Sequence, residues 1–139
     1  MTVNDSNRPC RLLIIDDEPI VGKRLQQVFT KIGFEVEIFT SGPPALESMA
    51  KHPFDIVVTD LKMAGMDGIE VLARVRAMNP EARVIIITGY AQPETASDAF
   101  ERGVFEFIVK PFRLDQLKDV IIRAMADREL CRSRLNQDR

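Results

Sequence analysis

Three uninterrupted apolar runs, LLII (Leu12–Ile15), IVV (Ile56–Val58) and VIII (Val84–Ile87), are separated by longer stretches of helical period. That alternation constrains the fold more than any other feature, because it is the signature of repeated βα units around a parallel sheet. Five strands are predicted, near residues 10–16, 34–40, 55–60, 83–88 and 105–110. Central parallel strands are covered on both faces and read as continuous apolar runs, whereas edge strands do not. The three runs therefore place strands 1, 3 and 4 in the centre. EVEIF (Glu35–Phe39) and FEFIV (Phe105–Val109) carry charges and belong at the edges. Right-handed crossovers then favour the order 2-1-3-4-5, an α/β doubly wound sheet with helices on both faces.

The intervening helices follow from periodicity and punctuation. Val21, Leu25, Val28, Phe29 and Ile32 form one apolar stripe that Gly33 ends. A second helix follows SGPP, where prolines are tolerable because the first helical turn has no internal donors to lose. The third opens after Asp67 and Gly68 and carries Ile69, Val71, Leu72, Val75 and Met78. The fourth, from about Pro93, has a thin apolar face of Ala96, Ala99 and Phe100, which predicts the most loosely held helix. The fifth begins after Arg113 and runs toward the C-terminus.

At 139 residues the chain has the size of one domain, with 45% apolar residues and a net charge of -2. No basic excess points to nucleic acid, and no apolar run approaches the roughly 18 residues of a membrane span. The polar start, MTVNDSNRP, has no apolar signal-peptide centre, which argues for the cytoplasm. Cys10 and Cys131 read as free thiols, and His52, before Pro53, as a surface loop residue. One histidine and two distant cysteines assemble no zinc site.

Parallel strands bring their carboxyl ends to one rim. Strand 1 ends in Asp16, Asp17 and Glu18, strand 3 in Asp60, strand 4 in Thr88 and strand 5 in Lys110. A single acidic residue before a helix is commonly a cap. Clustered carboxylates, however, repel and raise one another's pKa unless a cation sits among them. Mg2+ suits hard oxygen ligands, binds through one or two carboxylates and shares phosphate oxygens. Carboxylates, an ammonium and a hydroxyl around one point form a site for phosphoryl transfer, with Asp60 as the nucleophile.

The motifs DDE (Asp16–Glu18), DLKMAGMDG (Asp60–Gly68), ITG (Ile87–Gly89) and KPF (Lys110–Phe112) stand in the order and at the separations of the receiver domain of two-component response regulators. The chain resembles that family over about residues 10–126, with residues 1–9 expected to be a disordered segment and 127–139 an extension of helix 5 or a linker. The resemblance implies a flavodoxin-like fold and a phosphoacceptor domain in which Asp60 takes a phosphoryl group from a histidine kinase or phosphotransfer protein. It implies Mg2+ bound by Asp16, Asp17, Asp60 and the backbone carbonyl of Lys62, with Thr88 and Lys110 holding phosphoryl oxygens. A cis bond before Pro111 and a switch through Thr88 and Phe107 are implied too. The output surface would comprise helix 4, strand 5 and helix 5, and helix 1, with Ile20, Lys23, Arg24 and Gln27 outward, would dock the kinase.

Two departures and one ambiguity accompany the resemblance. Ala64 stands where many members have proline, which loosens the loop by about 0.4 to 1 kcal/mol through unfolded-state entropy. Lys62 and Tyr90 are both large at positions that flank the path of attacking water in this family, and are expected to slow loss of the phosphoryl group. In the tail, Leu114, Leu117, Ile121, Ala124, Arg128, Cys131 and Leu135 follow steps of three and four. That spacing fits either a helix packed on the sheet with a frayed end or a seam for a homodimer through extended helix 5, as an alternative to one through helix 4, strand 5 and helix 5.

Rival functions are an adaptor that works without phosphorylation, a Mg2+-dependent phosphohydrolase and a flavin binder. A phosphohydrolase of the haloacid dehalogenase type resembles D-x-D at its nucleophile, and Lys62 stands where the second Asp would be. A flavin phosphate needs hydroxyls and amides where this chain has DDEP.

Overall fold

The computed structural model describes residues 9–89 and 92–137, with side chains described through Asp127. Tyr90, the segment up to residue 8 and the side chains of Arg128, Cys131 and Leu135 lie outside the described residues. The elements follow in strict alternation: β1 (Arg11–Ile15), α1 (Pro19–Ile32), β2 (Glu35–Phe39), α2 (Gly42–Lys51), β3 (Ile56–Asp60), α3 (Gly68–Met78), β4 (Arg83–Thr88), α4 (Pro93–Glu101), β5 (Glu106–Val109) and α5 (Leu114–Gln137). The five strands form one parallel sheet in the order β2-β1-β3-β4-β5. Every residue of β3 is buried, whereas β2 and β5 are only partly covered. Central strands lie between two layers and edge strands do not, which is why composition foretold the order.

Alternation along each strand sends side chains to two separate cores. Leu13, Ile15, Val57, Val84 and Ile86 pack with α2, α3 and α4 through Ala45, Met49, Leu72, Val75 and Ala99. Leu12, Ile14, Ile56, Ile85 and Ile108 pack with α1 and α5 through Leu25, Phe29, Leu117 and Ile121. Phe29 and Phe34 meet edge to face at 5.7 Å, closing the second core below α1.

Helix ends obey local chemistry. Gly33 ends α1 at φ 118, with its N–H donated to Thr30, because a left-handed residue there escapes the Cβ penalty. Asp67 caps α3, its Oδ1 accepting the Glu70 N–H at 2.9 Å. The three helices α1, α2 and α4 each carry proline in their first turn.

Three apolar expectations need correction. Ile32, Met78 and Phe100 are not core residues but are 44%, 43% and 53% exposed. Ile32 sits in the last turn of α1, beyond the sheet; Gly22 instead lets that helix lie against Ile38. On α4 only Ala99 is buried, so the helix is held even more thinly than its three-residue stripe suggested. Leu117, Val120, Ile121 and Ala124 of α5 pack on the sheet, whereas Leu114 is exposed. His52 is exposed after α2, and Cys10 carries no disulfide. No helix of the described residues is long and apolar enough to cross a membrane.

Candidate functional site

The carboxyl ends of β1, β3, β4 and β5 converge as parallel register requires. β1 is continued by the Asp16 N–H, which donates to the Phe39 carbonyl at 3.0 Å. Asp16 then turns back on its own loop, its Oδ1 accepting the Glu18 N–H at 2.8 Å, and α1 starts at Pro19. This turn buries Asp16 and leaves Asp17 and Glu18 exposed. Asp60, the last residue of β3, is buried at the rim. The chain leaves β3 through Leu61, whose N–H donates to Ile87, and returns so closely that the Gly68 N–H donates to Leu61 at 2.8 Å.

Lys110 reaches into this corner from beyond β5. Its Nζ lies 3.3 Å from Asp60 Oδ2 and 4.0 Å from Asp16 Oδ2, so one ammonium spans two carboxylates from different strands. The backbone holds it there: the Lys110 N–H donates to the Thr88 carbonyl at 2.7 Å, and the Lys110–Pro111 bond is cis. Thr88 ends β4 with 1% of its surface exposed. Phe107 is half-buried on β5 opposite Ile86, against the core under α2, α3 and α4, and is not part of the charged corner.

The charges of this corner act on one another. Burial pushes the Asp16 carboxyl up, and the neighbouring Asp60 charge adds to this, while the Glu18 N–H and Lys110 pull it down without cancelling it. Burial pulls the Lys110 ammonium down, but the Asp60 and Asp16 carboxylates more than reverse it, so its pKa is raised. Lys110 therefore stays charged at neutral pH, and ionising Asp16 carries an opposing cost.

Among the described residues, the acidic oxygens that lie within 4.8 Å of one another belong to Asp16, Asp17 and Glu18. Asp60, which the sequence groups with Asp16, Asp17 and Lys110, meets Asp16 through the Lys110 ammonium that lies against both carboxylates. All the donors are hard oxygens, and Asp16 is buried beside a second carboxylate, so the residues present fit a divalent cation such as Mg2+. Lys62 follows Asp60 closely, with an exposed side chain along a cleft that also meets Asp17. Glu18 had a visible signal as the third acid of DDE. The close return of Gly68 had none, because nothing local shows which backbone it must approach.

Comparison with known proteins agrees with this geometry. Residues 12–122 match the family model of the response regulator receiver domain. Regulatory protein AtoC of Escherichia coli (strain K12) is 40% identical over 116 residues, covering 83% of this chain and 25% of AtoC. The chain thus spans about a quarter of the length of that curated relative. Sporulation initiation phosphotransferase F of Bacillus subtilis (strain 168) is 34% identical over 111 residues, 80% of this chain and 90% of the relative. The crystal structure of a CheX-CheY-BeF3-Mg+2 complex from Borrelia burgdorferi matches with a TM-score of 0.80 and 30% identity, over 88% of this chain and 94% of that one. With its five-stranded sheet in the order 2-1-3-4-5 and the acidic corner at its rim, the chain belongs to the response regulator receiver domain family.

Proposed function

We propose that Asp60 is the phosphoacceptor of this receiver domain, taking a phosphoryl group from a histidine kinase or phosphotransfer protein. The observation that carries this reading is the Lys110 ammonium held 3.3 Å from the Asp60 carboxylate by a bond to the end of β4. A carboxylate oxygen of Asp60 attacks phosphorus as the P–N bond of a phosphohistidine breaks, and the bonding electron pair leaves with the imidazole nitrogen. Lys110 pairs with the buried Asp60 carboxylate and neutralises charge on the phosphoryl oxygens. Thr88 offers a hydroxyl to the same oxygens. Most of the acceleration in phosphoryl transfer comes from such positioning and neutralisation.

Asp16, Asp17 and Asp60, with the Lys62 backbone carbonyl, would hold Mg2+. Bound there, the ion supplies positive charge that offsets the carboxylates and the phosphoryl oxygens. The Borrelia burgdorferi CheY complex contains Mg2+ and a BeF3 group, which supports this assignment. The name of the Bacillus subtilis relative, a phosphotransferase, supports the transfer chemistry.

Readout follows from the added charge. New acceptor oxygens near Thr88 draw its hydroxyl inward, and the ring of Phe107 follows into the space left behind it. The surface of α4, β5 and α5 then changes shape for an output domain or partner, or for a second copy. The thin attachment of α4, through Ala99, suits an element that must move. On this reading the chain is a cytoplasmic switch that assists only its own phosphorylation and dephosphorylation. Residues 10–126 form the receiver, with 127–139 as an extension of α5 or a linker.

Borohydride trapping tests the assignment of the acceptor. After incubation with phosphoramidate and Mg2+, reduction of an acyl phosphate converts its aspartate to homoserine, and peptide mass spectrometry should find homoserine at position 60 alone. Homoserine at position 16 or 17 would move the acceptor, and its absence throughout would favour the adaptor reading.

A further inference from the structure

A cleft of about 840 Å³ lies between the β3–α3 loop and α4. Its floor is apolar, formed by Leu61, Met63 and Ile69. Its walls are acidic: Asp17, Asp67, Glu94 and Asp98 face it from three elements, against a single ammonium, Lys62. Asp67 is engaged as the α3 cap, and Asp98 is bridged to Arg102 at 3.0 Å. Glu94 has no ion-pair partner among the described residues. It stands exposed in the first turn of α4, where the helix dipole favours a negative charge.

We propose that this cleft docks a cationic segment of a partner protein, one that carries apolar side chains between basic ones. Two properties select that occupant. The apolar floor rewards burial of a leucine-sized side chain, while the rim attracts lysine or arginine on either side of it. The same rim repels polyanions, so nucleic acid and an anionic lipid surface are poor occupants. The cleft also joins the acidic corner, through Asp17 and Lys62, to the thinly held α4, through Glu94 and Asp98. A segment lying in it touches the mouth of the phosphorylation site and the moving helix at once. This inference goes beyond the phosphoacceptor reading and does not depend on it, since the cleft belongs to the unphosphorylated chain.

The test is titration of the whole chain with a fluorescent peptide of lysines around two central leucines, alongside versions with glutamate for lysine or serine for leucine. Glu94→Lys and Ala64→Arg alter exposed positions in the cleft and leave the core untouched, and circular dichroism checks that both remain folded. The lysine–leucine peptide is expected to bind and to shift the amide resonances of Ala64, Ile69 and Glu94. Each variant should weaken it by about threefold to fivefold, the range of an exposed charge pair, and added salt should do the same. Binding that neither variant changes, equal binding of the glutamate peptide, or no binding would overturn the proposal. The basic tail, with four arginines in residues 128–139, provides a competing occupant from a second copy. A mass that rises with concentration in the wild-type chain but not in Glu94→Lys would assign the cleft to that tail and overturn the partner assignment. Loss of phosphorylation in the borohydride assay with peptide binding intact would sink the phosphoacceptor reading alone.

Discussion

A β-carbon on Gly68 would lie 2.6 Å from the main-chain oxygen of Asp60 and 2.9 Å from the Cα of Leu61. The start of α3 therefore rests directly on the end of β3, with no room for a side chain between them. Both contacts are backbone, so neither can swing aside. Gly68→Ala is expected to destabilise the fold by about 1 to 3 kcal/mol, the usual range for overpacking, and to displace Asp60 from Lys110. Urea unfolding reads the first effect, and phosphorylation rate reads the second. An alanine variant with wild-type stability would show that the two backbones have room to part.

A second prediction concerns how α5 is fixed at its far end. Arg83 at the start of β4 donates to Asp127 Oδ2 at 2.6 Å, from a side chain that is 15% exposed to one that is 45% exposed. Arg83 also donates to the Glu81 carbonyl, so it keeps a partner when Asp127 is lost. Asp127→Ala should thus cost about 0.5 to 1 kcal/mol, screened by solvent on the aspartate side. Hydrogen exchange should quicken in the amides from Ala124 onward and leave those of Leu117 unchanged.

Much of this architecture is legible in the amino-acid sequence, and particular residues show why. Continuous runs such as Ile56–Val58 announce burial on both faces, and the charges in β2 and β5 announce an edge. The rim residues follow automatically, because parallel strands share one carboxyl end. What is not legible depends on pairing across distance. Arg83 and Asp127 are separated by 44 residues, and neither carries a local pattern that names the other. The same holds for the approach of Gly68 to Asp60 and for the cleft between the β3–α3 loop and α4. Phe100 is misplaced by periodicity because helical period shows which residues share a face, but not whether a short helix is pressed close enough to bury that face.

The raised Asp16 carboxyl gives a pH prediction. Because its folded-state pKa lies above 3.8, the folded chain binds this proton more tightly than the unfolded chain. The associated stability is fully present below the unfolded value and is lost as pH rises through the folded one, so an ionisable group at position 16 weakens the fold at the higher pH. Asp16→Asn keeps an oxygen for the Glu18 N–H and removes the charge. The variant should melt at a higher temperature than wild type at pH 7, with the gap narrowing as pH falls toward 3.8. It should also lose Mg2+-dependent phosphorylation. A lower melting temperature at pH 7 would contradict the proposed electrostatic cost.

The central claim is most directly tested by the intact mass of the chain after incubation with acetyl phosphate, with and without Mg2+, beside Asp60→Asn. The account predicts one added phosphoryl group that requires both Mg2+ and Asp60. No adduct in the wild-type chain under a fast quench, or an adduct that survives in Asp60→Asn, would contradict it.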